Sequence, residues 1–140
     1  MNKKRIVAIV AIIALIAVMA VVFAACNADT YRKRLEKAGY EVETLDQSMF
    51  ENSDSVAYKN VEWAVSASKP SLSSEMTDNV MVLKYKSLSS AKDAEAEFEK
   101  MAKETNEMID LINPNLRYIV DRESMCVFFG TVQGVNDAQK

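Results

Sequence analysis

Residues 80–86 read VMVLKYK and residues 90–112 read SAKDAEAEFEKMAKETNEMIDLI. The alternation in the first stretch predicts a strand with Met81, Leu83 and Tyr85 on one face. In the second stretch, residues of one face recur every three or four positions, which predicts a long helix. Ser90 is its expected N-cap and Pro114 its expected end. The predicted inner face of the helix consists of Ala94, Phe98, Met101, Ala102, Thr105, Ile109 and Ile112.

The other elements follow from the same periodicities on either side of this strand and helix. Helical spacing predicts a short helix over residues 30–38, capped by Asp29 or Thr30 and ended by Gly39. Alternation predicts strands at residues 40–45, 61–68 and 116–120, and the last of these forms a hairpin with residues 125–130. The tail over residues 132–140 is expected to add a short helix.

This order predicts an α+β fold. Strands that follow one another through turns favour antiparallel pairing, whereas an alternating β-α-β pattern would indicate a parallel sheet. We therefore expect an antiparallel sheet of four or five strands, in the order α-β-β-β-α-β-β-(α). One long and one or two short helices are expected to pack on one face of that sheet.

The N-terminus divides the chain into two unlike parts. Residues 6–25 are all apolar and follow Lys3, Lys4 and Arg5. We assign residues 1–25 to a signal peptide or apolar leader, and residues 26–140 to one extracytoplasmic domain. The whole chain has a net charge of −3. Without the leader, 14 basic residues remain against 20 acidic ones, so the domain carries −6. This charge argues against nucleic acid as a partner.

The leader ends in Phe23-Ala24-Ala25-Cys26, with two small residues directly before a cysteine. This junction resembles the lipobox of bacterial lipoproteins, although the family prefers an aliphatic residue at the position of Phe23. The resemblance implies that the leader is removed and that Cys26 is acylated, for example with palmitate. An uncleaved single transmembrane anchor is the alternative, because twenty helical residues span about 30 Å. Both interpretations place residues 27–140 on the outer face of the cell membrane.

A basic cluster follows the proposed lipid at once and consists of Arg32, Lys33, Arg34 and Lys37. Each such residue near an anionic bilayer contributes about 1 kcal/mol of attraction. We predict that the cluster contacts the membrane surface and orients the domain on it.

The chain offers little catalytic chemistry. It has no histidine, three glycines and two cysteines, which excludes His-based nucleophile pairs, phosphate-binding glycine loops and a disulfide framework. Ser66 and Lys69 form an S-x-x-K pair, as in penicillin-binding enzymes, but chance alone gives about one such pair in this composition. Glu95 and Glu99 lie one helical turn apart, yet opposite charges around them indicate a solvated face. We predict no catalytic residue, no metal site and no cofactor.

The resulting functional prediction is a lipid-anchored, non-catalytic binding domain whose partner is an envelope protein or another envelope component. Two alternatives remain open: an inhibitor or immunity-type protein acting on an envelope enzyme, and a small envelope hydrolase using carboxylates. In size and α+β pattern the domain is similar to small uncharacterised lipoproteins of Gram-positive bacteria. That similarity brings no functional residues with it.

Overall fold

The structure, a computed structural model, describes residues 27–70, 77–111 and 116–140. Five strands form one antiparallel sheet in the order β1-β2-β3-β5-β4. They are β1 (Glu41–Leu45), β2 (Val61–Ser68), β3 (Asn79–Tyr85), β4 (Tyr118–Glu123) and β5 (Cys126–Thr131). The α-helices of the described residues are α1 (Ala28–Lys37), α2 (Leu88–Ile109) and α3 (Val132–Gln139). The predicted α+β class and element order are therefore confirmed.

The helices cover both faces of the sheet, so the expectation that they pack on one face is wrong. One hydrophobic core contains Tyr31 and Leu35 of α1 and Val135 of α3. The other contains Phe98 of α2 and Val127 of β5. Neighbouring residues of the central strands are buried in opposite cores, which requires cover on each side. In β3, for example, Val82 belongs to the first core and Leu83 to the second.

A bulge in β2 reverses the face on which its first residue lies. The pairing with β3 shifts between Val61 and Trp63. Val61 therefore packs in the core under α2, whereas Trp63 packs in the core under α1. Strict alternation places residues 61 and 63 of a strand on the same face, and the extra residue of a bulge breaks that alternation.

Helix α2 begins one turn earlier than predicted. Its N-cap is Ser87, whose hydroxyl oxygen accepts the Ser90 N–H at 3.2 Å. Ser90 thus lies inside the first turn and is not the cap. The helix ends at Ile109. Pro114, its expected terminator, lies outside the described residues.

Helix α1 is tied to the sheet by a short connection. Gly39 has a φ of +96°, a left-handed conformation that favours glycine at a helix C-terminus, as predicted. Tyr40 follows and β1 begins at Glu41, so α1 folds back along the sheet. Its N-cap is Asn27 rather than Asp29 or Thr30, because the Asn27 side-chain oxygen accepts the Thr30 N–H at 2.9 Å.

The outer edge of β4 is closed at one residue by a side chain of α2. The Asn106 carboxamide donates to the Tyr118 carbonyl at 2.9 Å and accepts the Tyr118 N–H at 2.7 Å. This pair of bonds replaces those that a further strand would make to Tyr118.

Candidate functional site

The four basic residues of α1 separate into two groups. The Arg32 guanidinium forms ion pairs with Asp29 at 3.2 Å and with Glu36 at 3.6 Å along the same helix. The Arg34 guanidinium lies 5.5 Å from the centre of the Tyr31 ring. Arg34 also donates to the Ala138 carbonyl at 3.2 Å, which ties α1 to the last turn of α3.

Lys33 and Lys37, in contrast, are exposed one helical turn apart. They belong to no ion pair within the described part of the chain. Of the predicted cluster, these two ammonium groups are therefore the ones available to an external anion.

The C-terminal ends of α1 and α3 meet around an open cavity of about 340 Å³. Arg34 and Lys37 line it together with Lys140 and Asp137. Lys140 and Asp137 lie about a hundred positions from α1 in the sequence, and no local pattern indicates that they contact it.

Asp137 is a buried carboxylate with three hydrogen-bond donors. It accepts the Tyr40 hydroxyl at 2.8 Å, the Gln133 amide at 2.9 Å and the Lys140 ammonium at 3.3 Å. Burial alone would raise the pKa of Asp137, but these bonds and the charge of Lys140 hold that pKa below its usual value. Burial, the bond to Asp137 and the nearby carboxylates raise the pKa of Tyr40.

The S-x-x-K pair does not form a dyad. Ser66 shares a face of β2 with Ala64, which packs in the core under α2. The Lys69 ammonium lies 5.2 Å from the centre of the Tyr40 ring, and Tyr40 belongs to the core under α1. The hydroxyl and the amine thus lie on opposite sides of the sheet.

The Glu95 carboxylate, considered above as a cation ligand, pairs instead with the Arg122 guanidinium, whose Nε lies 3.1 Å away. Within the ranges that the structure describes, no three acidic or cysteine side chains converge as metal ligands would.

The proposed lipid attachment site, Cys26, lies outside the described residues, as does the leader over residues 1–25. The second cysteine, Cys126, is buried in β5. No helix among the described residues is long and apolar enough to cross a membrane.

No model of a known protein family, no curated protein and no solved structure matches this chain.

Proposed function

We propose that this protein is a lipid-anchored extracytoplasmic domain that binds an envelope protein or another envelope component without transforming it. The observation that carries the proposal is the position of the first helix. Asn27 caps α1 and directly follows Cys26 in the sequence. An acyl chain on Cys26 would therefore hold the folded domain against the bilayer, because no stalk separates the two.

The charges of the helices support a preferred orientation on an anionic bilayer. Helix α1 carries four basic and two acidic residues, whereas α2, on the other face of the sheet, carries three basic and six acidic residues. An anionic surface attracts the first face and repels the second. The side formed by α1 and α3 is thus the membrane side of this proposal, with Lys33 and Lys37 as its exposed cations.

A binding role rather than catalysis is supported by the positions of the residues that raised catalytic alternatives. Ser66 and Lys69 are separated by the sheet, and Glu95 is engaged by Arg122. The buried Asp137 accepts two donors from α3 and its C-cap and one from Tyr40, and the Tyr40 bond ties α3 to the connection after α1.

The anchor is tested by mass spectrometry of the full chain extracted from bacterial membranes. We expect a polypeptide that begins at Cys26 and carries the added mass of fatty acyl groups. The matched control is Cys26→Ala, which removes the acylated sulfur and should leave the leader attached. An intact chain from Met1 to Lys140 in the unmodified protein would contradict the lipoprotein proposal and favour a transmembrane anchor.

A further inference from the structure

The connection between β1 and β2 is much longer than its geometry requires. These strands are antiparallel neighbours, which a turn of two residues can join. Here residues 46–60 join them, a stretch of fifteen. It contains two single turns of 3-10 helix, Gln47–Met49 and Val56–Tyr58. Compact surface loops of this size whose ends lie close together are frequently functional.

Hydrogen bonds fix this connection against the body of the domain. The Tyr85 hydroxyl donates to the Ala57 carbonyl, and Ala57 is fully buried. The Asn60 amide donates to the Ser90 hydroxyl at 2.9 Å, and the Lys86 N–H donates to the Asn60 carbonyl at 2.9 Å. The connection therefore has a defined conformation, held by hydrogen bonds to β3 and to the start of α2.

Aromatic contacts fix the connection further. The Tyr58 ring stacks on Phe50 with centres 5.6 Å apart, and its edge contact with Phe98 of α2 spans 5.9 Å. Two rings of the connection are thus held in place by the core under α2.

The connection encloses an open cavity of about 430 Å³ together with Lys86. This volume lies within the range of small-molecule sites, roughly 300–1,000 Å³. Phe50 and Tyr58 contribute its aromatic lining. Its charged lining consists of two carboxylates and two ammonium groups: Glu51, Asp54, Lys59 and Lys86.

None of these four charged groups belongs to an ion pair in the described part of the chain. Surface charges of opposite sign around one cavity often pair with each other, whereas these remain available. A ligand that carries both signs would satisfy both pairs without leaving a charge unmatched.

We propose that this cavity binds a small zwitterion. Glu51 and Asp54 receive its ammonium group, Lys59 and Lys86 receive its carboxylate or phosphate, and its apolar part packs against Phe50 and Tyr58. An amino acid with an apolar side chain has this chemistry, and free phosphoethanolamine carries the same two charges. The cavity lies on the α2 side of the sheet and stands independently of the lipid anchor.

The test is calorimetric titration of the full chain in a non-ionic detergent, which carries neither charge of the proposed ligand. The probes are phenylalanine, N-acetylphenylalanine, phenylalanine amide and phosphoethanolamine. We expect phenylalanine to bind at millimolar concentration. Loss of either of its charges should weaken binding by about two- to fivefold, as is typical of exposed ion pairs. Binding of phosphoethanolamine in place of phenylalanine would support the same charge chemistry and identify a phosphate, in place of a carboxylate, as the anionic group of the ligand.

Two double variants assign the charges. Lys59→Gln with Lys86→Gln should weaken the binding of phenylalanine, and phenylalanine amide should then bind this variant as well as phenylalanine does. Glu51→Gln with Asp54→Asn should also weaken the binding of phenylalanine, and N-acetylphenylalanine should then bind as well as phenylalanine does. The matched control is Lys92→Gln with Asp93→Asn, exposed charges of α2 outside the cavity. Absence of binding by phenylalanine and phosphoethanolamine, or equal binding by all variants, would overturn the proposal.

Discussion

The side chains of Tyr40 and Asp137 are distant in the sequence, and the hydrogen bond between them holds α3 against the connection that follows α1. The Tyr40 hydroxyl lies 2.8 Å from the Asp137 carboxylate, and both residues are buried. A carboxylate removed from water is costly unless donors surround it. Asp137 is therefore stabilising only while its donors are in place.

We expect Tyr40→Phe to lower the free energy of unfolding at neutral pH by about 1.5–3 kcal/mol, the usual worth of a hydrogen bond to a charged group. Denaturant titration of the full chain, followed by the fluorescence of Trp63, measures this change; Trp63 is the chain's single tryptophan. Tyr58→Phe is the control, because the Tyr58 hydroxyl makes no hydrogen bond with the described residues. Equal loss in both variants would contradict a specific role for the Tyr40 bond.

The same pair predicts a pH dependence. Because the pKa of Asp137 is lowered in the folded protein, its stabilising contribution is full above the unfolded value of about 3.9. It is lost as the pH falls through the lower folded value. The difference between Tyr40→Phe and the unmodified chain should shrink over that acidic interval, which a denaturant series at several pH values would show.

At the scale of elements, α3 approaches β3 through glycine. A Cβ atom on Gly134 would lie 2.3 Å from the Asn79 carbonyl oxygen. A Cβ atom on Gly130 of β5 would meet the same oxygen at 2.3 Å. The backbone of β3 thus fits against two positions that hold no side chain.

Gly134→Ala therefore sets two effects against each other: a gain in helix propensity and a steric overlap with β3. Alanine favours a helix interior by about 1 kcal/mol over glycine, yet here its methyl group would overlap backbone. We expect a net loss of stability of about 1–3 kcal/mol, as for other overpacked sites. A variant as stable as the unmodified chain would show that α3 can move away from β3 at no cost.

Local periodicity recovered the elements, since it records which residues face a core. The sequence also contains a signal that both faces of the sheet are covered. Two stretches of it, Val80–Leu83 and Cys126–Phe129, are unbroken apolar runs, which are typical of strands buried on both faces. The position of the N-cap of α2 was harder to predict, because Ser87 and Ser90 are both serines and either can cap a helix. The cavity at α1 and α3 and the β2 bulge depend on tertiary contacts that no local spacing encodes.

At the scale of the whole molecule, the charge contrast between the α1 and α2 sides predicts one orientation on a bilayer. The full chain is placed in nanodiscs of phosphatidylglycerol or phosphatidylcholine. A fluorophore is attached through Ala38→Cys on the α1 side or through Ala96→Cys on α2. Both alanines are exposed, and neither change alters charge. The native Cys126 is 2% exposed and should not react.

Nitroxide-labelled headgroups should quench the fluorophore at position 38 more strongly than at position 96, and more so in phosphatidylglycerol. Lys33→Glu with Lys37→Glu should remove this preference, since each lysine contributes about 1 kcal/mol near the surface. Lys100→Glu with Lys103→Glu, on α2, is the matched control and should leave the preference intact. Equal quenching at both positions would contradict the proposed orientation.

The Asn106 side chain that closes β4 at Tyr118 has a consequence for contacts between copies of the chain. An open sheet edge invites pairing with the strand of another copy. Here the carboxamide already occupies the outward backbone groups of Tyr118, the first residue of β4. At the opposite edge, Glu41 and Glu43 of β1 are exposed and would repel their counterparts on a second chain. Both edges of the sheet thus carry a feature that disfavours pairing with the strand of a second copy.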